Sequence, residues 1–394
     1  MTIPTFDRAI LGAGPVGLIA ALQSAKAERT LLISRALPKA SRHLAAPPRI
    51  ESVPAALVNL LLDFSIDPRR IGVDRLHDTR HAAWETPEPS TTRGRAVAHL
   101  DHGQLTAELL AVAHRHPLLK IISESQTPAR RNGLWHGTSW RARTLLDATG
   151  RAMVMSARRV RPPKPWVARP FWRIAGTRAR RLATDRSFRI AALPFGYAYR
   201  LASNSTDMLW VVGRGEELSH SPAALERTLR SLGAAWLLEG FAPLTTAGTG
   251  RSHPASVQWS EGSPCGTIGD AALSRDILSS QGMAGGISDA LYVAAARSED
   301  DDALRVQRHA AQCAAHLRSL QQVFAACRHR DRLSWRTYTE FVTKHQRPSA
   351  LADGAALIGG RVTPTIRPRR EGYELSTSPP PLPDTVFGAI SNSA

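Results

Sequence analysis

The chain has 394 residues, 43% of them hydrophobic and 21% charged, a globular balance that excludes a largely disordered protein. No run of about 18 apolar residues occurs, so no membrane-spanning helix is expected. Three cysteines, Cys265, Cys313 and Cys327, exclude a disulfide framework. Lysine and arginine total 51 against 33 acids, a formal charge of +18. All those cations except Lys26, Lys39, Lys120, Lys164 and Lys344 are arginines, spread along the chain and densest at Arg158 to Arg161, Arg178 to Arg181 and Arg328 to Arg332. A solvated basic surface, an acidic partner and nucleic acid would each suit that charge; the spread favours the first two, and no nucleic-acid or membrane partner is expected. Met1 to Ile10 hold Asp7 and Arg8 and no apolar stretch before a cleavage site, so a reduced, cytoplasmic protein is expected.

Arg8-Ala9-Ile10-Leu11 reads as the end of a buried strand. Gly12-Ala13-Gly14-Pro15-Val16-Gly17 follows, then a helix-forming stretch from Leu18 to Ala25 and a second strand at Thr30 to Ile33. This βαβ context gives a GxGxxG pattern its meaning: Gly12 permits the tight turn, Gly14 lets backbone approach a pyrophosphate, and Gly17 lets helix pack on strand. The acid that usually ends the second strand is replaced by Ser34 or Arg35. Residues 36–95 read as irregular with one helix after Pro54, and Thr86 to Arg95 as a polar loop. A helix is expected near Gly103 to Ala113, and strands near Leu119 to Ile122 and Leu134 to Trp140. Arg143 to Asp147 runs as a strand into Ala148-Thr149-Gly150. Residues of about 160–260 read as an antiparallel sheet, with strands at Phe188 to Leu193 and Met208 to Val212. A strand and glycine turn return at Thr267 to Asp270, 300–345 is helical, and 363–394 is a Pro- and Ser-rich tail with at most one strand pair.

GAGPVG at 12–17, LLDATGR at 145–151 and GDAALSRDILSSQG at 269–282 occur in an order and spacing that resemble the FAD-dependent monooxygenases of the aromatic-hydroxylase class and their relatives, the flavin-dependent tryptophan halogenases. The resemblance covers about residues 5–345. It implies an α/β fold: a Rossmann-like FAD-binding domain (GR2-type, three-layer ββα) over 1–158 and 262–300, an inserted antiparallel substrate sheet over 159–261, C-terminal helices over 301–348 and a tail over 349–394. It also implies non-covalent FAD. Gly12, Gly14, Pro15, Val16 and Gly17 would hold the ADP part, with Ser34 and Arg35 at its ribose end and Gln104 near the adenosine. Arg49 would lie near the flavin and pyrophosphate, with Ala148, Thr149 and Gly150 at the second turn. Gly269 and Asp270 would meet the ribityl chain, and Gln281, Gly282 and Met283 the pyrimidine ring.

The WxWxIP segment of tryptophan halogenases is absent; the corresponding stretch is Gly196-Tyr197-Ala198-Tyr199-Arg200-Leu201-Ala202. No lysine lies between Lys39 and Lys120. Arg49-Ile50-Glu51-Ser52-Val53-Pro54, Trp84 and the run from Asp276 to Gly282 resemble the halogenase-like flavoproteins that oxidise tryptophan within a peptide or protein, as in cysteine tryptophylquinone maturation. Those proteins often have proline where Ile277 stands.

The resemblance implies hydroxylation of an aromatic substrate, with another FAD oxidoreductase (reductase or oxidase) or a halogenase as alternatives. Tyr197, Tyr199, Arg200 and Trp210 are the candidates to face the substrate, although aromatics at alternate strand positions also build cores. His99 and His102 could act as acid or base. No residues have metal-ligand spacing. A single GxGxxG leaves electrons to transient NADH or NADPH, or to reduced flavin from a flavin reductase. The basic surface suggests an acidic precursor peptide or protein as substrate.

Overall fold

The computed structural model describes residues 3–35, 49–155, 172–179, 187–202, 207–214, 218, 221–240, 244, 246–251, 255–256, 265–295, 300–345, 365–369 and 372–376. In chain order these form β1 (Thr5–Leu11), α1 (Pro15–Ala25), β2 (Thr30–Ser34), β3 (Ile50–Pro54), α2 (Ala55–Asp63), β4 (Leu76–Ala83), β5 (Ser90–Asp101), α3 (His102–His114), β6 (Leu119–Ser123), β7 (Ala129–Arg131), β8 (Leu134–His136) and β9 (Arg141–Asp147). There follow β10 (Trp172–Ala179), β11 (Phe188–Leu193), β12 (Gly196–Ala202), β13 (Asp207–Arg214), α4 (Pro222–Ser231), β14 (Thr246–Arg251), β15 (Ala255–Ser256), β16 (Cys265–Thr267), β17 (Leu273–Ser274), α5 (Gly282–Ala295), α6 (Asp300–Ala325), α7 (Leu333–His345), β18 (Thr365–Arg369) and β19 (Gly372–Ser376).

The first sheet has the order β6-β2-β1-β9-β8-β7. The end of β1, Ala9-Ile10-Leu11, and the middle of β2, Leu31-Leu32-Ile33, are buried, which is why they read as apolar runs rather than alternating ones. β9 lies along β1 on one edge and divides its other edge between two strands: antiparallel β8 pairs its start, Trp135 opposite Ala142, and parallel β16 pairs its end, Cys265 opposite Leu145. Helices α1, α3 and α5 cover one face through a core that includes Ile10, Leu18, Leu109, Leu146 and Ile287.

The second sheet has the order β14-β10-β13-β12-β11-β4-β5-β3, antiparallel except where β11 runs beside β4. Alternation sorts its residues to two faces. Phe188, Ile190, Tyr197, Tyr199 and Val212 pack under α6 and α7, against Leu317, Phe324, Trp335 and Tyr338. Ala191, Ala198, Leu209 and Val211 face the other way, toward Leu225 and Leu229 of α4.

The sheet is wider than 159–261, because β3, β4 and β5 from 50–101 join it. Within 36–95, residues 36–48 lie outside the described residues; 49–95 are not irregular with one helix, and Thr86 to Arg95 is not simply a loop. Ser90 to Arg93 belong to β5 and pair with β4, His81 opposite Thr91 and Thr79 opposite Arg93. Their polarity misleads because this stretch is exposed, where Ser and Thr suit a pleated surface as well as a loop. The expected strand at Leu134 to Trp140 ends at His136, where Gly137 N donates to Trp140 O in a turn. The arginines 158–161 lie outside the described residues, as does most of the 363–394 tail apart from the β18–β19 pair.

Gly17 illustrates the packing demand. A Cβ there would lie 1.9 Å from Gly12 O and 3.2 Å from Ala148 Cβ. Gly17→Ala should cost about 3 kcal/mol, read as a fall in thermal midpoint; an unchanged midpoint would contradict the close approach of α1 to the first turn.

Candidate functional site

The parallel strands end together at one edge of the first sheet, the place where open α/β sheets bind ligands. Gly12 leaves β1 with φ 107°, and a Cβ on it would strike Ala148 O at 2.4 Å, so the first and second turns lie in contact. Val16 packs within 3.0 Å of where a Gly269 Cβ would be and 2.7 Å of a Gly286 Cβ, so the third motif closes on the first. Three segments about 130 residues apart thus meet at one edge, as their glycines suggest.

Gly14 differs from its neighbours. It is the N-cap of α1 with no side-chain capping bond, and a Cβ on it would meet no protein atom within 4 Å. The space beside Gly14 at the start of α1 is therefore open among the described residues, and a helix start with its partial positive charge suits an anionic group. Gly150, with φ 63°, is likewise open. Asp147 shapes that turn: its Oδ1 accepts from Thr149 N at 2.9 Å and Thr149 Oγ1 at 2.6 Å, and its Oδ2 from Met155 N at 2.8 Å.

Asp270 stands beside the start of α5, its Oδ1 4.0 Å from where a Gly282 Cβ would sit. Burial raises its carboxyl above the usual range, and Arg151, with Nε 3.7 Å from Oδ2, opposes that rise. Gln281 precedes α5 and Met283 is buried in its first turn. Arg49 forms a 2.8 Å ion pair with Glu51, whose Oε1 also meets His102 Nδ1 at 3.0 Å. Burial alone would raise Glu51, but Arg49 and His102 outweigh it and hold the carboxyl at about 2. Asp270, Glu51 and Tyr199 all lie within electrostatic reach of Arg49.

The second sheet supplies a wall of rings. Tyr197 and Tyr199 stack at 6.2 Å between centroids, Tyr199 and Trp210 at 6.4 Å, and Trp84 leans on Tyr197 at 6.2 Å. Trp210 Nε1 donates to Ile50 O at 3.3 Å, tying this wall to β3 beside Arg49. Tyr197 is fully buried and donates to Asp276 Oδ1 at 2.7 Å. Arg200 is not brought to this face. It points to the α4 side, where its Nη2 pairs with Asp207 at 3.2 Å and its Nη1 donates to Glu239 O at 2.9 Å, with both charged side chains fully buried. His99 is buried and stacked on His77 at 4.1 Å between ring centroids.

Ser34 is half-buried at the end of β2, with Arg35 exposed beyond it. Gln104 is exposed in the first turn of α3, its N donating to the capping Asp101 Oδ1 at 3.2 Å. Sequence reasoning gave Glu51, Arg151 and Asp276 no individual role. All three stand within the motifs already quoted, but their partners lie on distant segments. Among the described residues no cluster of three or more His, Cys, Asp or Glu could hold a metal ion, and no helix is long and apolar enough to cross a membrane.

Both sheets, their connection and this edge are those of the flavin-dependent monooxygenase and halogenase fold. Over 90% of this chain and 93% of the other, it superimposes on a flavin-dependent brominase with TM-score 0.66 at 16% identity. A peptidyl tryptophan dihydroxylase essential for tryptophylquinone cofactor biogenesis matches 94% of this chain and 86% of its own, with TM-score 0.64 at 16% identity. The 2,6-dihydroxypyridine-3-hydroxylase of Arthrobacter nicotinovorans matches 83% and 93%, with TM-score 0.64 at 15% identity. No protein-family model and no curated protein matches the sequence. The uncapped α1 start, the open Gly14 and the Asp270 carboxylate beside α5 fit a dinucleotide such as FAD.

Glu51 gives a pH signature. Its folded-state value of about 2 lies below the unfolded value of about 4.3, so its contribution is complete above the latter and disappears as pH falls through the former. Glu51→Gln should cost about 1–2 kcal/mol at about pH 6, allowing for screening of the half-exposed Arg49. Chemical denaturation should show that difference shrinking toward about pH 2; a difference constant with pH would refute the network.

Proposed function

We propose that this protein is an FAD-dependent monooxygenase that hydroxylates an aromatic substrate, tryptophan within an acidic peptide or protein precursor. The observation that carries the reading is the open space at Gly14 where α1 starts, with the Ala148-Thr149 turn packed on Gly12 and the Gly269 turn on Val16 to either side of it. Gly12, Gly14, Pro15, Val16 and Gly17 would hold the pyrophosphate without a covalent link, Ser34 and Arg35 the ribose end and Gln104 the adenosine. Asp270 would accept from the ribityl hydroxyls. Gln281, Gly282 and Met283, with the N-terminus of α5, would meet the pyrimidine ring, where a helix start favours negative charge. FAD, when bound and reduced, supplies the oxygen activation; NADH, NADPH or a flavin reductase would supply the electrons, in the cytoplasm.

The chain's own part is placement and exclusion of water. Tyr199 and Trp210 offer ring faces for an aromatic substrate, with Tyr197 fixed behind them by Asp276. Arg49 beside this wall suits an acidic residue flanking the target ring. His102 and Glu51, partly exposed and 3.0 Å apart, stand beside Arg49. Arg200, turned to the other face, would act only by holding β12 to the Glu239 segment. Similarity to halogenases keeps halogenation as the competing reading, and bromide-dependent product mass separates the two.

The purified protein should be yellow and release its flavin on acid precipitation. Gly14→Val should stay folded, since a Cβ there meets no atom of the described residues within 4 Å, yet lose FAD; full flavin occupancy in this variant would move the cofactor elsewhere. Asp270→Ala should weaken FAD by roughly 1.5–3 kcal/mol in a fluorescence titration.

Oxygen-dependent hydroxylation should be faster with a tryptophan-containing acidic peptide than with free tryptophan. The advantage should fade as salt rises from about 0.1 M to about 1 M, where the Debye length falls to about 3 Å. Equal, salt-independent turnover of both would leave a small-molecule hydroxylase.

A further inference from the structure

The turn between Asp270 and α5 lacks the proline that the resembling proteins often carry, with Ile277 in its place, yet it is firmly built. Asp276 has φ −61° and ψ 136°, the extended backbone that a following proline favours. Ile277–Ser279 then form a 3-10 turn whose first position would also accept proline. The Asp276 side chain caps that turn: Oδ1 accepts from Leu278 N at 2.9 Å, and the Asp276 carbonyl accepts from Ser279 Oγ at 2.8 Å. Ser280 completes it in the left-handed region at φ 49°, delivering Gln281 and Gly282 to the start of α5.

The same residue reaches three other elements, two through its carboxylate and one through its backbone N–H. Tyr197 Oη of β12 donates to Oδ1 at 2.7 Å, and Tyr338 Oη of α7 donates to Oδ2 at 2.5 Å. Asp276 N donates to His316 Nε2 of α6 at 3.0 Å. Burial and the nearby Arg275 hold His316 down at about 3, so its ring stays neutral and keeps the lone pair that accepts this bond. Asp276, Tyr197, Tyr338 and His316 are all buried. The apolar contacts of Leu278 with this core tolerate sliding; these hydrogen bonds are directional and fix both distance and angle.

We propose that Asp276 is a positioning residue through which the C-terminal helices α6 and α7 set the turn at 277–281, doing by hydrogen bonds what a proline at 277 would do by its ring. Resting on the flavin reading above, this makes Tyr338 a remote determinant of how the flavin ring is held.

The test uses the full chain with FAD bound and compares Tyr338→Phe with Phe324→Leu, a change in the same core that breaks none of these bonds, and with Asp276→Asn, which keeps the shape and the Oδ1 acceptor. Tyr338→Phe should shift the visible flavin absorption bands and raise the FAD Kd about tenfold. Asp276→Asn should do so to a smaller extent, and Phe324→Leu should lower the thermal midpoint while leaving band positions and Kd unchanged. Unchanged bands and Kd in Tyr338→Phe, or equal changes in Phe324→Leu, would overturn the bridge. A wild-type protein that binds no FAD would instead overturn the flavin reading itself.

Discussion

The structure depends on how closely helix α1 approaches the strands beneath it. With glycine at 12 and 17, backbone meets backbone where any side chain would collide with Gly12 O or Ala148 O. That contact fixes the direction in which α1 starts, and so where its first N–H groups point. It also presses Val16 into the hollow left by Gly269 and Gly286, drawing the returning chain to the same edge. A site assembled from three distant segments thus rests on the absence of Cβ atoms at a few positions.

Around this rigid edge the second sheet divides its work by alternation. On β12, Tyr197 and Tyr199 face α6, α7 and the cleft, while Ala198 and Arg200 face α4. Burying Arg200 with Asp207 is expensive, and the bond from the guanidinium to Glu239 O helps their attraction offset the lost hydration. On the opposite face a buried carboxylate, Asp276, is satisfied without any cation in hydrogen-bond contact, by two phenols and a backbone amide. The two solutions hold one strand from both sides.

The α/β half was legible because its signals are local: β1, the glycine turn, α1 and β2 follow one another within 30 residues. The convergence of Gly12, Ala148 and Asp270 was legible because each motif carries its own turn chemistry. The membership of β3, β4 and β5 in the second sheet was not, since Thr91 and Arg93 are polar and exposed and their pairing with β4 leaves no apolar pattern. Period two correctly put Tyr197 and Tyr199 on one face, and by the same rule sends Arg200 to the other, which its grouping with the tyrosines had overlooked. Glu51 and Asp276 take their meaning from His102, Tyr197 and Tyr338, contacts spanning 51 to 79 residues that no short window contains.

The divided edge of β9 has a consequence for how the chain reaches its native state. Its first half is partnered locally by β8, but the edge of its second half waits for β16, more than a hundred residues later and beyond the strands β10 to β14 of the second sheet. Until then Leu145 and Leu146 present unpaired backbone at a sheet edge, a template for misplaced pairing. Such non-local closure slows folding, and the order of synthesis ensures that the first sheet is completed only when the chain comes back to it.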